Sequence, residues 1–151
     1  PGKIIQAEKN PGIAVSAFER TADYVQNYVQ GGRPLIKHQA VAIRLAEMAT
    51  KICAVRSLLN EASRTVDEGA PDAEALVNMA KLFASEEVFK VCQHAVELHG
   101  GNGIMLDFGI EKLLRDAAVF LHMDATVDIS KFKIIKNMFP DTAGKYAGPE
   151  Q

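Results

Sequence analysis

Three small groups of residues in this chain hold side chains or bare backbone that could do chemistry. The first is Gly100-Gly101-Asn102-Gly103, directly after His99, where glycines leave backbone N–H groups free to approach a phosphate. It lacks the Gly-x-Gly-x-x-Gly spacing and has no following Lys-Ser or Lys-Thr, so the residues alone read more plainly as a turn between helices. The second is the carboxylate pair Asp124 and Asp128. Either could take a proton, yet acidic residues gather in first helical turns simply because the helix dipole favours them. The third is the set of histidines, His38, His94, His99 and His122. His94 and His99 are five apart and fall on different helix faces, and no Cys or carboxylate completes a ligand set, so no metal is expected. The cysteines, Cys53 and Cys92, lie inside predicted helices, where Cys is usually a small apolar filler, and suggest a reducing compartment.

The elements that must position these residues are helices. Val41, Leu45, Met48, Ile52, Val55, Leu59, Ala62 and Val66 alternate steps of four and three, which only a helix brings onto one face. The spacing predicts a helix over 34–68, with Pro34 in its first turn and Gly69 as a left-handed terminator. Phe18, Ala22, Val25 and Val29 predict an earlier helix that starts near Pro11 and ends at Gly31-Gly32. Asp72 is the expected N-cap of a third, over 73–99, which is apolar nearly all round and so must be wrapped by others. A short helix over 110–121 follows, then a last one over 126–138. In that last helix Asp128 precedes Lys131, Lys133 and Lys136, an order that suits the dipole, and Pro140 ends it.

No alternating strand pattern of useful length, internal repeat or low-complexity tract is present. Long helices joined by short turns predict an all-α domain over 1–151, an antiparallel four-helix bundle with an additional short helix. The tail over 141–151, rich in Gly and Pro, is expected to be mobile or laid along a partner. Glu47 with Lys51 and Glu86 with Lys90 stand at i, i+4 and are expected to be solvated surface pairs.

Charge and composition narrow the function. Lys plus Arg total 17 against 19 Asp plus Glu, a net charge of −2, so no basic field exists to collect nucleic acid or anionic lipid. No apolar run approaches the ~20 residues that span a bilayer, and no signal-peptide pattern opens the chain. A cytoplasmic protein is the expectation. The chain starts at Pro1 rather than Met, which suggests a piece of something longer.

The order of segments carries a family resemblance. Gly31-Gly32-Arg33-Pro34-Leu35 leads into His38-Gln39 and Leu45-Ala46-Glu47-Met48. Then come Ala80-Lys81, the glycine turn, and Glu111-Lys112-Leu113-Leu114-Arg115-Asp116-Ala117. Over about residues 11–138 this succession resembles the C-terminal domain of the acyl-CoA dehydrogenase family, whose fold there is an antiparallel four-helix bundle.

The resemblance implies an enzyme that oxidises an acyl-CoA thioester: a carboxylate removes the α proton while the β hydrogen leaves as hydride to FAD. It implies an N-terminal helical domain and a middle β domain outside this chain, or a second subunit, and a homo-oligomeric dimer or tetramer built through the bundle. It makes Gly100, Gly101 and Gly103 contacts for the FAD diphosphate of a neighbouring copy. Gln39 becomes a cofactor-side contact, and Asp124-Ala125-Thr126 the counterpart of a Glu-Gly-Thr base motif, with Asp124 as base and Thr126 beside the flavin. The sequence departs from the family where an Arg is usual, at Tyr28, which shifts that role toward Arg33. It departs again at Glu97, where Gln is usual and a carboxylate would repel a diphosphate. The alternative reading is a non-catalytic helical assembly module that keeps the bundle and has lost FAD.

Overall fold

The computed structural model describes residues 10–123 and 126–143. Helix α1, Asn10–Asn27, opens on Pro11 in its first turn, where a missing N–H costs nothing. Its buried face is Ala14, Ala17, Thr21 and Val25. The expected stripe shares only Val25 with it: Phe18 and Ala22 are half-buried, and Val29 is exposed beyond the helix end. Small residues face inward because they let the backbone of α1 approach the core closely. Thr21 can join them because its hydroxyl donates to the Ala17 carbonyl at 2.6 Å.

A hairpin follows that the sequence reading did not anticipate. Strands β1, Val29–Gln30, and β2, Arg33–Pro34, pair antiparallel around Gly31 and Gly32, with φ of 63° and 78°. Two successive positive φ angles are what a tight two-residue hairpin turn requires, and glycine supplies both. Strands this short offer no alternation to detect. Pro34 therefore belongs to β2 and not to the first turn of the long helix. The chain passes through a 3-10 turn, Leu35–Lys37, before helix α2, Gln39–Asp67, begins.

The stripe expected on α2 is the one observed: Leu45, Met48, Ile52, Val55, Leu59 and Ala62 are buried, and Val41 and Val66 pack beside them. Gly69, at φ 65°, ends the helix. Its amide donates to the Val66 carbonyl at 3.1 Å and that of Ala70 to Thr65 at 3.0 Å, so two otherwise orphaned carbonyls are satisfied.

Helix α3, Ala73–His99, is the central rod and packs against α1, α2 and two later helices. Asp72 stands at its N-cap position without a side-chain capping bond. The later helices are α4, Ile110–Phe120, and α5, Val127–Met138, where the Thr126 hydroxyl accepts from the Ile129 amide at 3.4 Å. Pro140 does more than end α5: it starts a short turn of helix, α6, Pro140–Ala143.

Two ion pairs set the register of α2 against α3. Arg44 meets Glu97 at 2.7 Å and Lys51 meets Glu87, so one sequence rises as the other falls and the helices are antiparallel. This corrects the expected surface pairings. Lys51 turns from Glu47 to Glu87, Lys90 turns from Glu86 to Glu87 at 2.5 Å, and Glu86 takes Lys131 at 3.8 Å. Glu87 is buried, and burial alone would raise its pKa. The hydrogen bonds and charges of Lys51 and Lys90 outweigh that and hold it below the ordinary carboxylate value. Cys92 is the packed filler expected, its thiol pushed up to about 12 by burial and by the Asp116 charge, whereas Cys53 is exposed. No helix among the described residues is long and apolar enough to cross a membrane.

Candidate functional site

At one end of the bundle, the close of α1, the hairpin, the start of α2 and the close of α3 enclose a cavity of about 530 Å³. An aromatic column forms one wall. Tyr24 stacks between Tyr28, at 4.9 Å between ring centroids, and His99, at 4.1 Å, while Phe108 meets Tyr24 edge-on at 6.0 Å. Tyr24 and Tyr28 are i, i+4 residues, and the Tyr28 amide still donates to the Tyr24 carbonyl at 2.8 Å, so the last helical turn itself aligns the rings. The Tyr24 hydroxyl accepts from Asn102 Nδ2 at 2.9 Å, which ties the column to the glycine turn.

His99 is buried, with Nδ1 at 2.8 Å from the Ala95 carbonyl. A carbonyl only accepts, so Nδ1 carries the hydrogen and a neutral ring keeps its lone pair on Nε2. Burial lowers the His99 pKa, and the Ala95 bond opposes this only in part. The ring is a neutral stacking surface near pH 7.

The three glycines of the turn have different reasons. Gly100, at φ 56°, occupies backbone space that side chains avoid, and a Cβ there would meet open space. Gly101 also faces open space. Gly103 is buried, and a Cβ there would lie 2.4 Å from the Val96 carbonyl oxygen. Close packing against α3 accounts for Gly103; Gly100 and Gly101 line the cavity without side chains, the Gly100 amide donating to the Glu97 carbonyl.

Arg33 and Gln39 lie at this same end but do not line the cavity. Arg33 Nη2 is 3.3 Å from His38 Nδ1, and His38 Nε2 is 3.0 Å from the Gln30 carbonyl. The carbonyl can only accept, so Nε2 donates and Nδ1 accepts from Arg33, and His38 pins the hairpin to the start of α2. Gln39 is exposed at the first residue of α2, five residues before Arg44 and so about 7.5 Å further toward the glycine-turn end of the bundle along the axis. Glu97 lines the cavity, and Arg44 compensates its charge. No Lys or Arg is among the described lining residues.

Asp124 lies outside the described residues. Of the described residues on either side, the Met123 carbonyl accepts from Lys81 Nζ at 2.7 Å, and Thr126 caps α5. Lys81 is 19 residues before Gly100, roughly 28 Å along α3. The structure thus gathers Gly100, Gly101, Gln39 and Arg33 at one end, and sets Met123 far from them, beside Lys81. Sequence reasoning missed the Tyr24–Tyr28–His99 column. The i, i+4 tyrosines were visible, but their meeting with His99 joins segments 75 residues apart.

Among known proteins, the profile of the acyl-CoA dehydrogenase C-terminal domain matches residues 3–139. An acyl-CoA dehydrogenase of Bacillus subtilis is 37% identical over 141 residues, 93% of this chain and 37% of its own length. The structure of butyryl-CoA dehydrogenase from Megasphaera elsdenii superposes with a TM-score of 0.86 at 29% identity, covering 91% of this chain and 36% of the other. PigA with FAD and proline gives a TM-score of 0.86 at 26% identity over 91% of this chain and 36% of the other. The chain spans little more than a third of the length of these relatives.

Proposed function

The chain belongs to the acyl-CoA dehydrogenase family, as its C-terminal domain, and on that premise we propose that it is the bundle of a larger flavin-dependent enzyme that desaturates an acyl-CoA thioester between its α and β carbons. The observation that carries this reading is the open glycine turn. Gly100 and Gly101 line a cavity with an aromatic wall and put no side chain in the way of a ligand, and Glu97, the one carboxylate among the described lining residues, is already paired by Arg44. Such a surface fits the diphosphate end of FAD, with Gly103 holding the turn against α3 and Gln39 and Arg33 on the adjoining edge. When bound, FAD supplies the two-electron acceptor for the β hydrogen.

This chain's own part in proton transfer falls to Asp124, whose carboxylate takes the α proton, with Thr126 beside it capping α5. The roughly 28 Å along α3 between Lys81, which holds the Met123 carbonyl, and the glycine turn supports two separate duties in a homo-oligomer, a dimer or tetramer. Each copy lends its turn to a neighbour's FAD and keeps its Asp124 for its own substrate. Ile129, Phe132, Ile135 and Phe139, exposed along α5, support a bundle covered by further protein in the assembled enzyme. The relatives' greater length supports N-terminal helical and middle β domains beyond this single domain.

A second reading has its own observation. Among the described residues the cavity is lined by Tyr28 and Glu97 and by no Lys or Arg, which favours an assembly module that has lost FAD. Purifying the full-length protein that carries this chain separates the two. Stoichiometric FAD with a yellow flavin spectrum supports the enzyme; a colourless protein that still assembles supports the module.

A further inference from the structure

We infer that the cavity at this end of the bundle is a socket for an arginine side chain presented by a partner chain. The proposal rests on the module reading above and names what such a module would hold.

The lining sets the sign of the ligand. Among the described lining residues Glu97 is the one charged side chain, so an anion entering the cavity meets a carboxylate and no cation. Glu97 stands two residues before the end of α3, where the helix dipole presents its negative pole. Gly100 offers an anion no amide, because its N–H is already bonded to the Glu97 carbonyl. Arg44 compensates Glu97 but is shared. It faces Glu97 Oε2 at 2.7 Å and Glu47 Oε2 at 3.5 Å, one guanidinium against two carboxylates, so the group keeps a net negative charge. Arg44 uses Oε2 of Glu97, which leaves Oε1 for a second donor.

The aromatic wall selects the kind of cation. Tyr28 stacks on Tyr24 by one face and is 42% exposed, so its other face is available to a planar group. A guanidinium is planar, weakly hydrated and forked. It can lie on that ring by cation–π attraction while its N–H groups donate to Glu97. An ammonium carries its charge as a compact point and fits less well.

The surroundings point to a polypeptide as the source. Val29 lies between the lining residues Tyr28 and Gln30, and Ile104 and Leu106 follow the glycine turn; all three are exposed. A free guanidinium compound would leave these apolar side chains in water, whereas a chain that carries the arginine covers them. Arginine seated in a pocket ringed by such contacts is a common anchor of protein interfaces.

Saturation-transfer NMR on the full-length protein that carries this chain tests the socket with capped Gly-Arg-Gly, Gly-Lys-Gly and Gly-citrulline-Gly, the last matching arginine in shape without its charge. The arginine peptide should bind, with lysine weaker and citrulline weaker by roughly tenfold or more. Glu97→Gln should weaken the arginine peptide roughly tenfold, and Tyr28→Leu about threefold. Arg44→Gln, which releases Glu97, should tighten it about threefold, a gain that a damaged fold cannot produce. In a colourless protein, equal binding of the arginine and citrulline peptides, no binding of either, or weaker binding in Arg44→Gln overturns the socket and leaves the module reading standing. Stoichiometric FAD in the purified protein overturns the module reading and the socket with it.

Discussion

The Nζ of Lys81, buried in the first half of α3, donates to the carbonyl of Met123 at 2.7 Å and so fastens the turn that immediately precedes Asp124. Removing the charged donor from this half-buried carbonyl costs about 1 kcal/mol. Lys81→Met keeps the apolar stem, so the loss should appear as that drop in unfolding free energy with faster amide exchange concentrated at 121–127. Unchanged exchange there would mean that other contacts fix the turn.

Asp124 is the base in the proposed reaction, and a base and a cofactor contact answer to different measurements. In the full-length enzyme, Asp124→Ala should abolish exchange of the substrate's α proton with solvent while leaving FAD content unaltered. Exchange at the wild-type rate would remove Asp124 from the mechanism.

The glycines of the turn should respond in opposite ways to one methyl group. At Gly103 the added Cβ would sit 2.4 Å from the Val96 carbonyl oxygen, backbone that cannot step aside without moving α3. Gly103→Ala should therefore cost about 3 kcal/mol or more in a urea melt. At Gly101 the Cβ meets open space, and Gly101→Ala should leave stability within about 0.5 kcal/mol while lowering FAD affinity. A stable Gly103→Ala protein would contradict the close-packing account.

Much of this was readable before any coordinates, and the reason is periodicity. The stripe from Leu45 to Ala62 is buried along α2 as spaced, and α3 covers the residues its glycine boundary implied, because a long amphipathic pattern leaves a helix no other way to hide its apolar face. What failed depended on neighbours in space. The i, i+4 rule pairs Lys51 with Glu47 because it knows only one helix, yet Glu87, buried, arrives from α3 and makes the better partner. The hairpin at Gly31 and Gly32 escaped because two-residue strands carry no period, so Pro34 was mistaken for a helix opener. The site was half legible: the glycine turn stood out by type, while the aromatic wall needed Tyr24 and His99 to be brought together by the packing of α1 on α3.

Acid should weaken the bundle in two separable stages. Burial lowers the pKa of His99, against a smaller opposing effect from the Ala95 carbonyl. Burial also lowers His94, whose surroundings on α2 and α3 comprise Arg44 and Lys51, which lower it further, and Glu97 and Glu47, which oppose them. The unfolded chain binds these two protons more readily than the folded one, so stability rises with pH across their window. The contribution is fully present above the ordinary histidine value of about 6.5 and is lost as pH falls toward the depressed folded values. Glu87 is a depressed carboxyl: its stabilisation holds above the model-peptide value of about 4.3 and disappears only below it, as the Lys51 and Lys90 bonds lose their acceptor charge. Urea melts from pH 8 to pH 3 should thus show a first decline below about 6.5 and a second below about 4.3. His99→Gln should shrink the first and leave the second, and Glu87→Gln should remove much of the second while starting from a lower plateau. A single decline confined to the carboxylate range would show that His94 and His99 accept protons without penalty, and with that the buried neutral ring at the centre of the aromatic column would have to be abandoned.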